Sequence, residues 1–376
     1  MVLLSNAAVL AVDVTPRTCW IFVELTDADG AKGAGEATYG KDSAAVVALT
    51  RRIADGLLGG TPEAGLAGLA RPRNIIEGAA VSALNLALHD LLARRQRVSL
   101  ATYLGGERRR SVALYANINR RTGDRTPTGF ADSARVAIDA GYSAFKIAPF
   151  DDVTPAVCAE AGFTAALHKG LARIAATRDA IGPAARLMVD CHWRFTEAKA
   201  VEAIDACAQF GLHWFECPIS EDSEFLPAIA RLRGRAHARG MLLAGGEHIV
   251  GREELTQLLE AGAYDVIMPD VKYVGGLEEM LRMAQAQRRA GVAFSPHNPT
   301  GPVSHAASLE ICAAVGEIDL LEHQFDETPL FESLVGTTLP ASKGGVVELA
   351  AGRHGHGVSL APQAFELAAM SQHQTA

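Results

Sequence analysis

The chain is poor in the features that mark several protein classes. Aromatic residues make up 6% of its 376 residues, and only 6 are cysteine. Cys19, Cys158, Cys191, Cys207, Cys217 and Cys312 are scattered and form no C-x-x-C pair. That pattern excludes a disulfide scaffold, argues against structural zinc, and leads us to expect free thiols in a reducing cytoplasm. No block of like charge stands out and the formal net charge is −8, so neither a nucleic-acid nor a membrane-surface footprint is expected. No run reaches the roughly 18 uninterrupted apolar residues of a spanning helix. The opening MVLLSNAAVLAVDV has no basic start and is interrupted at Asp13, so no secretory leader is expected. Disorder is excluded as well: 49% of the residues are hydrophobic and 21% charged, the balance of a folded chain with a large core.

At about 100–200 residues per domain, the length fits two domains or a large barrel with an appendage. The first part is β-rich, then helical. Trp20 to Val23 reads as a strand, Asp29-Gly30 as a turn, and a glycine-rich return strand follows. Helical periodicity runs from Ser43 to about Leu58 and again near Ile76–Arg95, where Leu84, Ala87, Leu88 and Leu91 fall on one stripe. From about residue 111 short apolar runs recur, each followed by a helical stretch: VALYA, AFKIA, RLMVD, HWFE, LLAGGE, DVIMPD, VAFSPH and IDLLEH. Asp190 to Glu216 is 26 residues; the next steps, to Glu247, Asp270, His297 and Glu322, are 31, 23, 27 and 25. A strand, loop and helix need about that many residues, and eight such units predict a (β/α)8 barrel. After Leu339 a second glycine-rich hairpin pattern, GGVVELAAGRHGHGVSL, is expected to return to the first domain.

Nearly every run ends in a chemically capable side chain, and in a barrel those ends face one mouth. The candidates are Lys146, Asp190, His192, Glu216, Glu247, Asp270, His297 and Glu322. An Asp after an apolar run is most often a helix N-cap, but caps vary among Ser, Thr, Asn and Asp. Acids on three consecutive units, then Asp, His and Glu on the next three, do not fit that explanation. Asp190, Glu216 and Glu247 can converge on one hard divalent cation such as Mg²⁺, which prefers oxygen ligands. Asp270 can hold the far nitrogen of His297 and raise its basicity. Asn117 and Asn119 can meet sugar hydroxyls, although turn chemistry explains them nearly as well. Arg194 suits a carboxylate. Thr38 and Tyr39 follow the first hairpin. Lys272 and His248 lie beside candidate residues, and the sequence gives neither a role.

Over essentially its whole length the sequence resembles members of the enolase superfamily, close to the mandelate racemase subgroup. VELTDADGAKGAGEAT and ALNLALHDLLARRQRVSLATYLGG resemble the capping domain and the helix leading into the barrel; VDCHWRF, WFECP, GGEH, MPDVKYVGG and FSPHNPTG resemble the barrel motifs. The resemblance implies an N-terminal α+β capping domain over residues 1–108, rejoined by a segment from about 340 to 376, and a modified (β/α)8 barrel over 109–339. It implies Mg²⁺ on Asp190, Glu216 and Glu247, a His297–Asp270 dyad, an electrophilic acid at Glu322, and Lys146 on the substrate carboxylate. Tyr39 falls where the family's mobile specificity loop lies. A cytoplasmic homo-oligomer, dimer or octamer, goes with the family.

Two departures shape the expected reaction. The subgroup usually carries Lys-x-Lys on the second barrel strand, its second lysine a base; here Ala148 takes that place. His192, two residues after a ligand, resembles the mannonate dehydratase group, where a histidine there acts in elimination and the Asp of the dyad is lacking. We therefore expect abstraction of the proton α to the carboxylate of a hydroxy or sugar acid through an enediolate, followed by β-elimination of water. A racemase, epimerase or cycloisomerase is the alternative. A sugar-acid binding protein without activity fits less well, because binding alone needs no oriented base.

Overall fold

The computed structural model describes residues 1–336 and 339–374; residues 337–338 and 375–376, which belong to the expected barrel and C-terminal segments, lie outside those described. Strands Leu4–Thr15, Thr18–Asp27 and Lys32–Glu36 form an antiparallel sheet. The second and third are the hairpin the sequence predicts, with Gly30 at φ +84° in its turn. The first strand adds to that prediction; Ala7, Ala8 and Ala11 blur its alternation. Helices Ser43–Leu57 and Ile75–Arg95 cover the sheet.

The return strand is rich in glycine because a helix lies directly on it. A Cβ on Gly33 would stand 2.0 Å from the Ala87 carbonyl oxygen, and one on Gly35 2.0 Å from that of Ala83. Helix Ile75–Arg95 is long and apolar enough to cross a membrane, yet 83% of its apolar window is buried inside the protein. Its apolar side chains form the core between sheet and barrel.

Eight parallel strands follow: Ser111–Asn117, Ala144–Ile147, Arg186–Asp190, Trp214–Glu216, Leu242–Gly245, Val266–Ile267, Ala293–Phe294 and Leu321–Gln324. They match the eight apolar runs, and the eighth pairs with the first. Between the seventh and eighth no ladder forms among the described residues. One long backbone bond, Glu322 N to Pro296 O at 3.5 Å, and side-chain bonds, Ser295 Oγ to Leu320 O at 2.7 Å and Asn298 to Glu322 twice at 2.9 Å, bridge that seam. The six cysteines are free; five are buried and Cys19 is half-buried.

The C-terminal hairpin differs from expectation. Its strand Val346–Glu348 pairs antiparallel with Ser111–Ala113 of the first barrel strand, so this part stays on the barrel. Only beyond it does the chain reach the first sheet, where His356 Nε2 bonds the Ala34 carbonyl at 3.0 Å and helix Pro362–Gln374 packs against strand Leu4–Thr15. Val346 and Val347 can pair with any open edge; the alternation does not say which.

Glu36 fastens the sheet to the barrel. Its buried carboxylate accepts hydrogen bonds from Thr38 Oγ1, Thr300 Oγ1, Gly301 N and Ser304 N at 2.6–2.9 Å. The last two are orphan donors at the start of helix Pro302–Val315, which follows the His297 loop. Glu36→Ala is expected to cost roughly 3 kcal/mol, because it leaves several buried donors unpaired. The measurement is the urea midpoint at unchanged slope, and a loss near zero would mean that water replaces the carboxylate.

Candidate active site

The strand-end residues meet at a cavity of about 980 Å³ between barrel and first sheet. They sort into two layers. Lys146, Asp190, His192, Glu247 and His297 line the cavity. Glu216, Asp270 and Glu322 lie beneath it, each 0% exposed. Side-chain alternation and the shortness of several strands produce this division.

Asp190, Glu216 and Glu247 can each offer an oxygen such that all three lie within 4.8 Å of one another. Burial and the nearby Asp190 charge push Glu247 well above the carboxylate range. Burial also pushes Glu216 up to about 7, against the pull of Lys146 and with Asp190 and Glu322 adding to the rise. Asp190 is held low: burial raises it, but His192 and Lys146 outweigh burial. Glu247 Oε2 is buried without a hydrogen bond, although His297 Nε2 stands 3.2 Å away. Three crowded oxygen donors, one of them unsatisfied, fit a hard divalent cation.

His297 Nδ1 lies 2.8 Å from Asp270 Oδ2. Burial lowers the imidazole below its ordinary value against the opposing pull of Asp270, so it is neutral and able to take a proton at neutral pH. Asp270 has a second partner that sequence reasoning left without a role. Lys272 Nζ bonds Asp270 Oδ2 at 2.6 Å, the Lys272 backbone N bonds Oδ1 at 2.8 Å, and the lysine is 2% exposed. Burial raises Asp270, but Lys272 and His297 more than offset it, so the carboxylate stays ionised. Lys272→Met leaves that buried charge with one partner fewer. It is expected to cost roughly 3–5 kcal/mol, read from the denaturant midpoint; a loss below about 1 kcal/mol, the worth of a surface pair, would show that solvent reaches Asp270.

Lys146 does not stand free in the cavity. Its ammonium bonds Glu216 Oε1 at 2.6 Å and Glu322 Oε1 at 2.9 Å. Those two bonds use two of its three N–H groups and leave one for a ligand. Glu322 differs from the expected protonated acid. It accepts from Lys146, from Asn117 Nδ2 at 2.7 Å and from Asn298 N at 2.9 Å. Burial raises it, but Lys146 and His297 hold it below its ordinary value, so it has no proton to give.

His192 reaches the cavity by a turn rather than by strand alternation, since the strand ends at Asp190 and His192 has φ +49°. Its Nε2 bonds Asp190 Oδ2 at 2.9 Å, and the Asp190 charge raises the imidazole against burial. Trp193, at φ +55°, stacks on His248 with ring centroids 4.8 Å apart, and Tyr39 meets the same His248 edge-on at 6.5 Å. Beneath this stack Glu221, also missed, accepts from Gly246 N and Tyr264 at 2.7 Å each. No glycine or proline at 192 or 193 signals those left-handed turns.

The expected hydroxyl binders are largely engaged within the protein. Asn117 holds Glu322, and Asn119 Oδ1 accepts from Ala148 N at 2.9 Å and from Arg125. Arg194 Nη1 donates to the carbonyls of Asp151 and Val153. All three still line the cavity, as does Ala148.

Comparison with known proteins agrees with this geometry. Residues 4–105 match the mandelate racemase / muconate lactonizing enzyme N-terminal domain, and residues 129–364 the enolase C-terminal domain-like family. A D-gluconate dehydratase of Thermoproteus tenax is 29% identical over 87% of this chain and 65% of its own length. A D-galactarolactone cycloisomerase of Agrobacterium fabrum is 34% identical over 63% of this chain and 58% of its own. The alignments thus span less than two thirds of either curated relative. The solved structure of a mandelate racemase/muconate lactonizing enzyme-like protein from Rubrobacter xylanophilus superposes with a TM-score of 0.85, at 27% identity over 96% of each chain. By both domain matches and by fold, the chain belongs to the enolase superfamily, in its mandelate racemase/muconate lactonizing enzyme branch.

Proposed function

We propose that this protein is an acid-sugar dehydratase: it removes the proton α to a carboxylate and then eliminates water from the β-carbon. The observation that carries the proposal is the Asp270–His297 pair set 3.2 Å from the Glu247 carboxylate of a three-acid cluster, at an open cavity. Residues 1–108 with the C-terminal segment would close over a catalytic barrel of residues 109–339, and assembly into a dimer or octamer belongs to the same proposal. Divalent-metal binding throughout the superfamily supports a cation on Asp190, Glu216 and Glu247, with Mg²⁺ as the choice for an all-oxygen set. When bound, Mg²⁺ supplies Lewis-acid stabilisation of the enediolate, worth several kcal/mol.

The chain's own groups do the rest. His297 Nε2, neutral and oriented through Nδ1 by Asp270, takes the α-proton. The free N–H of Lys146 faces the developing charge. His192, at the cavity beside Asp190, is placed to give a proton to the departing hydroxyl. The enol so formed tautomerises to a 2-keto-3-deoxy acid. Ala148 has no proton to exchange, so the proposal provides one base on one face of the substrate. The dehydratase name of one relative supports elimination; the cycloisomerase name of the other keeps ring opening as a second reading.

The test is a library of sugar acids in deuterated water with Mg²⁺. A 2-keto-3-deoxy product, with the α-proton lost from one configuration only, is the expected outcome. Exchange from both configurations at comparable rates would show a second base and favour an isomerase.

A further inference from the structure

Charge is unevenly distributed over the outer part of the cavity. Six cationic side chains line it away from the acid cluster: Arg17 and Lys41 from the loops around the first sheet, and Arg120, Arg125, Arg173 and Arg194 from the barrel. Three carboxylates line the same region, Asp151, Asp152 and Glu327, and each is already paired. Arg120 holds Glu327 at 3.0 Å, Arg125 holds Asp151 at 2.7 Å, and Arg173 holds Asp152 at 2.8 Å. Arg17, Lys41 and Arg194 have no carboxylate partner among the described residues, and Arg194 is occupied with two carbonyls.

Arg17 and Lys41 are exposed, and among the described residues their side chains make no hydrogen bond or ion pair. Both stand over the same cavity from separate loops, Arg17 in the tight turn between strands Leu4–Thr15 and Thr18–Asp27, Lys41 just after Tyr39. Cationic side chains in excess of carboxylates around a cleft do nothing for the fold, but they draw an anion into it. The reacting carboxylate belongs at the strand ends, beside Lys146, so it does not account for this second concentration of charge.

We propose that the substrate is anionic at both ends, with a second carboxylate or a phosphate remote from the reacting α-carbon, and that Arg17 and Lys41 receive it. The proposal rests on the α-proton reading for which end reacts, and on the charge pattern alone for the other end. A guanidinium fork suits either group, since both offer paired oxygens.

Equilibrium titration in the His297→Asn background, with Mg²⁺ present, reads this subsite without turnover. The probes are an aldonate, the corresponding aldarate and the 6-phosphoaldonate. At least one dianion is expected to bind about tenfold or more tighter than the aldonate. That preference should shrink by about tenfold in Arg17→Gln and again in Lys41→Gln, the loss of one charge-assisted bond each time. Which dianion gains more distinguishes carboxylate from phosphate. Equal binding of all three acids, or a preference that survives both substitutions, overturns the inference. Exchange of the α-proton by the unsubstituted protein keeps the two proposals separate: no exchange with any acid, together with an Arg17-dependent preference for dianions, refutes the reaction and upholds the subsite.

Discussion

His297→Asn is expected to slow α-proton exchange by about a thousandfold or more, within the range that a positioned general base contributes. Among the described residues at the cavity, His297 is the imidazole that is both neutral and hydrogen-bonded to a carboxylate on its far nitrogen. Asp270→Asn should fall nearly as far, because an amide no longer fixes which ring nitrogen carries the proton. Two substitutions in one working unit are not additive, so the double variant should be little worse than either single one. The pH profile supplies an independent check. Burial depresses His297, so the acid limb of kcat/KM should lie below the ordinary histidine value of about 6.5. Asp270 opposes that depression, and Asp270→Asn should move the limb lower still in whatever activity remains. Proton NMR in deuterated water measures the exchange. Losses that simply multiply in the double variant would mean that the two residues act separately.

Glu247→Gln should abolish tight divalent-cation binding and leave the fold intact, with calorimetric titration of Mg²⁺ as the readout. The unsubstituted protein adds a pH signature. Glu216 titrates near 7 and Glu247 is also raised, so protons compete for the same oxygens. Mg²⁺ affinity should therefore weaken as pH falls from about 7 toward 5, by up to about tenfold per pH unit for each proton displaced. Without metal the sign for stability is opposite. Folded Glu216 keeps its proton to about 7, whereas the unfolded chain releases it near the ordinary value of 4.5. Its contribution is complete below the lower value and is lost as pH rises through the higher one. Removing the metal with EDTA should thus lower the melting temperature more at pH 7 than at pH 5. Full Mg²⁺ affinity in Glu247→Gln, or an affinity flat with pH, would place the cation elsewhere.

The acid cluster was legible because each of its carboxylates ends an apolar run, and a barrel turns that sequence position into a spatial one. Asp190 and Glu216 stand at the last residue of their strands. Depth was not legible. Glu322 also follows an apolar run, yet three donors hold it beneath the cavity floor. Lys272 was missed because its strand ends at Ile267, and the turn that follows brings Lys272 back onto Asp270. His192 and Trp193 depend on left-handed backbone at residues that do not advertise it. The Glu36 carboxylate accepts its hydrogen bonds from barrel residues 300–304 and from Thr38, and no spacing in the chain links positions so far apart.

The bridge between the seventh and eighth strands has a consequence for motion. Elsewhere around the ring, shifting a strand breaks a ladder of backbone bonds. Here Phe294 and Leu321 flank a junction held by one long backbone bond, the Ser295 hydroxyl and two bonds from Asn298 to Glu322. His297 leaves the seventh strand three residues beyond this junction and Glu322 lies on the eighth; Asn298, the residue after His297, ties the two through its backbone N and its Nδ2, each 2.9 Å from Glu322, so a shift there strains side-chain bonds rather than a backbone ladder. Amide hydrogens along this seam should exchange with solvent sooner than those between the third and fourth strands, where the ladder from Met188 to Asp190 is continuous. His297 is thus carried beside a seam that side chains hold, and Asp190 and Glu216 on strands that a backbone ladder holds.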